Sequence, residues 1–223
     1  MTSERISVFD IFKIGIGPSS SHTLGPWRAA QQFLGFVKEK GLLQDVQQVT
    51  VHLYGSLAKT GRGHGTDIAV ILGLSGYDPV TIETSSIDRI LADIAASETI
   101  RLHGEMQIHF NPKTDVVFHK TESLPFHPNG VAFAATCRNG QVLEETYYSI
   151  GGGFVIQEGR EAAGSASPLE LPYPVDQASD LLKWHRVTGK PIWEIVLENE
   201  RVWKEDAAIR KDLLNIWQVM QDS

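Results

Sequence analysis

Four short stretches of this chain concentrate the residue types that could do chemistry. In Gly17-Pro18-Ser19-Ser20-Ser21-His22-Thr23, four hydroxyls and one imidazole fill five consecutive positions. Apolar residues at Leu24, Trp27, Phe33, Leu34 and Val37 follow at helical spacing, with Gly41 as a stop. The polar run therefore stands at the mouth of a helix. Backbone N–H groups there lack helical partners and the helix dipole favours an anion, so a carboxylate or phosphate would be held. His22 adds a group that exchanges a proton near neutral pH. The same residues would also serve as an over-furnished N-cap, and both readings stand at this point.

The second stretch is Gly61-Arg62-Gly63-His64-Gly65-Thr66-Asp67. Glycines on both sides of a histidine let backbone approach a ligand closely, although a plain glycine turn reads the same way. It is not a phosphate-binding P-loop, because Lys59 precedes Gly61 instead of following the glycines. The third, His127-Pro128-Asn129-Gly130, reads first as a turn whose His and Asn could bond a small polar ligand. The fourth, Ser149-Ile150-Gly151-Gly152-Gly153, ends a strand and reads first as a bulge. His52, His103, His109, His119 and His185 carry no supporting pattern and are expected as strand or surface residues. No H-E-x-x-H occurs, and the lone Cys137 lies in an alternating strand, where it reads as a small buried apolar residue.

The elements that must position these stretches are legible in outline. Residues 6–12 read as a short strand or helical turn. Val49, Val51 and Leu53 alternate with polar neighbours and lead as a strand into GSLAKTGRGHGTD, where Thr66 or Asp67 should cap the next helix. A third amphipathic helix is expected over 85–97. From about 105 to 157 the signals are strands, with Asn139-Gly140 marking a hairpin. The expected fold class is α+β, a mixed sheet with flanking helices and a helical C-terminal extension. The expected division is one domain over 1–160, a Pro/Gly/Ser-rich linker over 161–175, and helices over 176–187 and 191–220 within a 176–223 extension.

Composition narrows the partners. A net charge of −7 gives no clustered basic face, which argues against nucleic acid or an anionic membrane surface as partner. The opening MTSERISVFDIFKIGIG has Asp10 and Lys13 inside its apolar stretch, so neither a signal peptide nor a membrane span is expected. One cysteine allows no internal disulfide and suggests a cytoplasmic protein. It also falls short of the three or four thiolates that hold an iron–sulfur cluster.

Taken in order, SVFDIFKIGIGPSSSHTLGPWRAA, LYGSLAKTGRGHGTD, HPNG and YYSIGGGFV resemble the iron–sulfur-dependent L-serine dehydratases, specifically their β-type N-terminal domain. The tail, with Glu198-Asn199-Glu200 and Trp203, resembles the connecting region of single-chain members. The resemblance implies a [4Fe–4S] cluster held by cysteines of a separate α-type domain or subunit, none bound by this chain alone, and a homodimer. It implies a fold like the allosteric substrate-binding domain of some phosphoglycerate dehydrogenases, and a chain that is a portion of a longer enzyme. The implied reaction is α,β-elimination of water from L-serine, yielding pyruvate and ammonia. Within it His64 is expected as the base and His22 as its partner, with the two roles exchangeable. Ser19, Ser20, Ser21 and Thr23 are expected to bind the carboxylate, with Gly65, Thr66 and Asp67 adding contacts. A rival expectation is a regulatory module that senses serine or another small anion through His127 and Asn129.

Overall fold

The computed structural model describes residues 5–160 and 170–223. In chain order the elements are α1 (Val8–Ile11), α2 (Gly25–Glu39), β1 (Val46–Tyr54), α3 (Gly55–Thr60), α4 (Thr66–Leu74) and α5 (Ile87–Ser97). Then come β2 (Thr99–Leu102), β3 (Met106–His109), β4 (Val116–His119), β5 (Gly130–Cys137), β6 (Val142–Gly151) and β7 (Phe154–Gln157). Last are α6 (Ala178–Thr188), α7 (Ile192–Glu200) and α8 (Asp206–Asp222). Of the described residues, those from Gly15 to 160 form one compact unit, and those up to Ile14 together with 170–223 form another.

The larger unit is built on a mixed sheet of strand order β4-β1-β5-β6-β7, in which β1 runs parallel to β4 and the other neighbours are antiparallel. β2 and β3 form a separate antiparallel pair. Along β1, Val49, Val51 and Leu53 are buried while Thr50, His52 and Tyr54 are only half-buried, as a period of two demands when one face is covered. The covered face meets Phe33 of α2, whose ring stacks on Phe133 of β5 at 5.1 Å. The β5–β6 hairpin turns at Asn139-Gly140 as expected. Gly140 takes φ +81 and its N–H donates to Cys137 O at 2.9 Å.

Helices α2 and α4 lie against each other, and this brings their N-termini side by side. The contact passes through Gly73, where a Cβ would stand 2.6 Å from Trp27 O and 2.8 Å from Ala30 Cβ. Glycine inside a helix costs about 1 kcal/mol against alanine. Each fully buried large side chain such as Trp27, Phe33, Leu72 or Leu74 contributes about 1.5–3 kcal/mol. Close packing therefore outweighs the local propensity.

The structure corrects three expectations. Thr66 and Asp67 do not cap α4. Gly65 does, in the left-handed region at φ +65, and Thr66 is the first helical residue. A strand absent from the sequence reading, β2, pairs with β3 from Thr99↔His109 to Leu102↔Met106. The helix expected over 191–220 breaks after Glu200 and restarts at Asp206. The Arg201 guanidinium grips the Asp206 carboxylate with both Nε (2.7 Å) and Nη2 (3.0 Å) across that break. The acidic residue stands where the new helix dipole favours it. Of the expected linker, 161–169 lie outside the described residues.

In the smaller unit, α1 is a single turn capped by Ser7, whose Oγ accepts from Phe9 N at 3.1 Å. The buried Glu200 carboxylate accepts from Ser7 Oγ at 2.6 Å and Val8 N at 2.8 Å. Asn199 bonds both backbone groups of Tyr173, accepting from its N at 3.0 Å and donating to its O at 2.7 Å. The Asn199-Glu200 pair thus ties down the start of α1 and the backbone at Tyr173.

Candidate functional site

The hydroxyl-rich stretch forms one turn of π-helix, Ser20–Leu24, that runs directly into α2. Such wide turns concentrate at functional sites. Ser19 caps it, its Oγ accepting from His22 N at 3.3 Å. The second stretch coils as a tight turn over Gly61–His64, and Gly65 then swings the chain into α4. At Gly61 a Cβ would sit 2.9 Å from Thr66 Oγ1, so only glycine closes the turn without displacing that hydroxyl.

Two reciprocal bonds lock the turns together. Thr23 Oγ1 donates to His64 O at 2.7 Å, and Thr66 Oγ1 donates to His22 O at 2.6 Å. Both threonines are buried, and their hydroxyl protons are engaged in these crossings. Sequence reasoning expected them on the ligand. In the structure their hydroxyls donate to the backbone carbonyls of His64 and His22, which joins the two turns.

The result is a pair of imidazoles 4.9 Å apart between ring centroids, inclined at 38°. His64 Nδ1 lies 2.9 Å from Thr60 O. A carbonyl only accepts, so that nitrogen carries the proton and the neutral ring presents its lone pair at Nε2. His22 is held at both edges, Nδ1 by Ser21 Oγ at 2.9 Å and Nε2 by Ser56 Oγ at 2.9 Å. Burial, and then the neighbouring His64, lower the His22 pKa below its ordinary value. Around the pair, Ser20 is exposed and Ser19 and Ser21 are half-buried, their Oγ atoms 3.3 Å apart. Gly65 N–H donates to Arg62 O at 3.3 Å, and half-buried Asp67 accepts from Ile68 N at 3.1 Å. The Ser19–Thr23 and His64–Asp67 candidates therefore converge on one place.

The other two stretches support this place from behind. His127 Nδ1 accepts from Asn129 N at 3.1 Å, and the buried Asn129 amide donates to Ser149 O at 3.1 Å. Ser149 N returns a bond to Asn129 O at 3.0 Å. Pro128 O accepts from Ser56 N at 2.8 Å. The triple glycine turns β6 into β7, with φ +106, +58 and +74 at Gly151, Gly152 and Gly153, and Gly153 O accepts from Arg28 Nη1 at 3.1 Å.

Two features escaped the sequence reading. Ser56 carries no motif of its own, and only the fold delivers it to His22. His52 and His119 were expected as unrelated strand residues, but parallel pairing of β1 with β4 sets His52 Nδ1 2.9 Å from His119 Nε2. Tyr54 stacks on His119 at 4.6 Å, and His119 Nδ1 meets Glu122 at 3.0 Å.

The residues of this chain do not fit an iron–sulfur cluster. Its one thiol, Cys137, is buried in β5, and burial followed by the Asp45 charge pushes its pKa up, away from the thiolate a metal needs. Among the described residues no group of three or more His, Cys, Asp or Glu side chains is placed to hold a metal ion. No described helix is long and apolar enough to cross a membrane.

Comparison with known proteins places this geometry in context. Residues 7–160 match the family described as the serine dehydratase beta chain. The chain is 46% identical over 221 residues to an L-serine dehydratase of Streptomyces coelicolor, covering 97% of this chain and 48% of that protein. It is 41% identical over 217 residues to L-serine dehydratase 2 of Escherichia coli, with 97% and 48% covered. Against the L-serine dehydratase of Mycobacterium tuberculosis it is 43% identical over 216 residues, with 96% and 47% covered. The chain spans about half the length of the curated relatives it matches. With the match running through both histidine turns, the chain belongs to the serine dehydratase beta chain family.

Proposed function

We propose that this chain supplies the amino-acid-binding and acid–base surface of an L-serine dehydratase, and that cluster-binding cysteines belong to an α-type domain or subunit outside it. The observation that carries this reading is the His22–His64 pair, 4.9 Å apart at the mouths of two cross-locked turns. L-Serine needs a proton removed from Cα before or as its β-hydroxyl departs. His64 has the geometry of the base, since its Nδ1–H is committed to Thr60 O and Nε2 is left to accept. His22 is its partner at the substrate, and its lowered pKa keeps the ring neutral near pH 7. Ser19, Ser20 and Ser21 receive the carboxylate at the N-terminal end of the π-turn and α2. Gly65 and Asp67 complete the rim, and Thr23 and Thr66 hold the two turns in register. Loss of the α-proton and the hydroxyl gives an enamine, which tautomerises to an imine and hydrolyses to pyruvate and ammonia. A homodimer in the cytoplasm, bound to neither nucleic acid nor membrane, belongs to the same proposal. In the enzyme assembled with its α-type portion, His64→Ala and His22→Ala should each lower kcat by roughly 10²–10⁴-fold, the range for acid–base residues. Near-normal turnover in both variants would remove the pair from the chemistry.

A second reading adds regulation, in keeping with the proposed likeness to the allosteric domain of phosphoglycerate dehydrogenases. It is favoured by one observation: the 127–130 turn bonds Ser56 N through Pro128 O, one residue-length from His22. A small anion bound at His127 and Asn129 would be felt at the imidazole pair. Calorimetry with L-serine separates the readings, because binding lost in Asn129→Ala and kept in His64→Ala marks a sensor.

A further inference from the structure

Among the described residues, Ser56 is the one side-chain hydrogen-bond partner of His22 that comes from neither histidine turn. It stands in the first turn of α3, directly after β1, and its Oγ lies 2.9 Å from His22 Nε2. Its position is fixed from two sides. Ser56 N donates to Pro128 O at 2.8 Å, and Gly55 N donates to Glu122 O at 2.9 Å. Gly55 itself has φ +53, and a Cβ there would fall 2.2 Å from Pro128 O, so the backbone delivering Ser56 is pressed against the 127–130 turn and admits glycine alone. The backbone that carries Ser56 is thus held in place, with its half-buried hydroxyl within hydrogen-bond reach of His22.

The chemistry of the partner matters as much as its place. A carboxylate on a ring nitrogen would fix one tautomer, because it only accepts. Hydroxyls donate or accept, and His22 has one at each nitrogen, Ser21 at Nδ1 and Ser56 at Nε2. Ser21 is in turn 3.3 Å from Ser19. The line Ser19–Ser21–His22–Ser56 can thus run in either direction by moving protons alone, with no heavy atom displaced. Neutral His22 could accept a proton at one edge and release one at the other while its ring stays still.

We propose that Ser56 is a positioning residue for His22, holding Nε2 so that the ring keeps its place beside His64 while its tautomer remains free to reverse. This rests on the acid–base reading of His22, and it predicts a loss carried by turnover and not by substrate affinity. Ser56 acts through the imidazole and makes no contact with the amino acid.

The test has two arms. In the full chain labelled with ¹⁵N-histidine, Ser56→Ala should shift both His22 ring-nitrogen resonances, leave those of His52, His119 and His185 in place, and leave the fold intact by its amide spectrum. Ser56→Thr, which restores the hydroxyl, should return the His22 signals toward those of the wild type. In the assembled dehydratase, Ser56→Ala should lower kcat roughly 10–100-fold, as loss of an orienting partner does, with KM for L-serine changed less than about threefold and turnover recovered in Ser56→Thr. Unchanged His22 resonances in Ser56→Ala overturn the proposal whatever the turnover. A KM rise at constant kcat overturns it as well, since Ser56 would then bind substrate. Shifted resonances with no L-serine turnover in the wild-type assembly leave Ser56 holding His22 and remove the dehydratase reading instead.

Discussion

At the scale of single residues, two histidines of similar appearance in the sequence acquire different characters from their bonds. His64 has one nitrogen tied to a carbonyl, which fixes its tautomer. His22 has both nitrogens on hydroxyls, and burial followed by the neighbouring His64 lowers its pKa from the ordinary 6.5. The shift has a consequence for stability. The unfolded chain takes up the His22 proton first as pH falls through about 6.5, so the unfolded state then binds more protons and folding weakens. His22 therefore costs nothing above that pH, and the penalty grows downward until the lower folded-state pKa is passed. Denaturant midpoints followed from about pH 7 to pH 5 should fall more steeply for the wild type than for His22→Asn, which cannot titrate there. Parallel curves for the two proteins would show that His22 is as easily protonated folded as unfolded.

At the scale of elements, the π-turn and α2 meet β6 at Gly25 and Ser149. A Cβ on Gly25 would lie 1.9 Å from Ser149 Oγ and 2.7 Å from Ser149 Cβ. Gly25→Ala should therefore destabilise the chain by about 1–3 kcal/mol, as overpacking does, and misplace the His22 turn. Ser149 Oγ is buried and makes no hydrogen bond among the described residues, so Ser149→Ala sacrifices none and should fall within about 0.5 kcal/mol of the wild type or above it. Urea unfolding of both variants checks this, and a Ser149→Ala loss beyond about 1 kcal/mol would mean the hydroxyl has a partner after all. This contact also marks where sequence reading stops. Apolar spacing announced α2, and Asn139-Gly140 announced the β5–β6 hairpin, because those signals are local. The clustering of Ser19–Thr23 with His64–Asp67 was legible only as two helix mouths and a family likeness. Their joining depends on Gly73 letting α4 approach α2. Thr66 was read as a cap because a hydroxyl at a helix start has two possible partners, its own backbone or a neighbouring turn, and only the tertiary fold selects His22 O. Ser56 and the His52–His119 pair stayed hidden for the same reason, being 34 and 67 residues apart from their partners.

At the scale of the whole molecule, the composition and the fold bear on the proposed division of the chemistry. Two helix-opening turns carry hydroxyls and imidazoles suited to binding a carboxylate and moving protons. The thiol content does not suit a cluster: four-iron centres take up to four thiolates, and this sequence holds one cysteine. That cysteine is 1% exposed and packed in the hydrophobic core, its Cα paired with Val46 at the start of β1, so its sulfur is closed to iron in the folded chain. Burial also raises its pKa, which disfavours the thiolate that iron would bind. The chain incubated anaerobically with ferrous iron and sulfide, then desalted, should accordingly retain no four-iron charge-transfer absorbance and lose none of its folded signal. The same treatment after co-expression with an α-type portion should yield the absorbance, and removing iron from that complex with a chelator should abolish turnover while His22 and His64 in this chain keep their imidazole resonances. Stable cluster absorbance on this chain alone, or its loss in Cys137→Ser, would place the metal within the β-type unit and end the proposed division between proton-handling residues here and a cluster elsewhere.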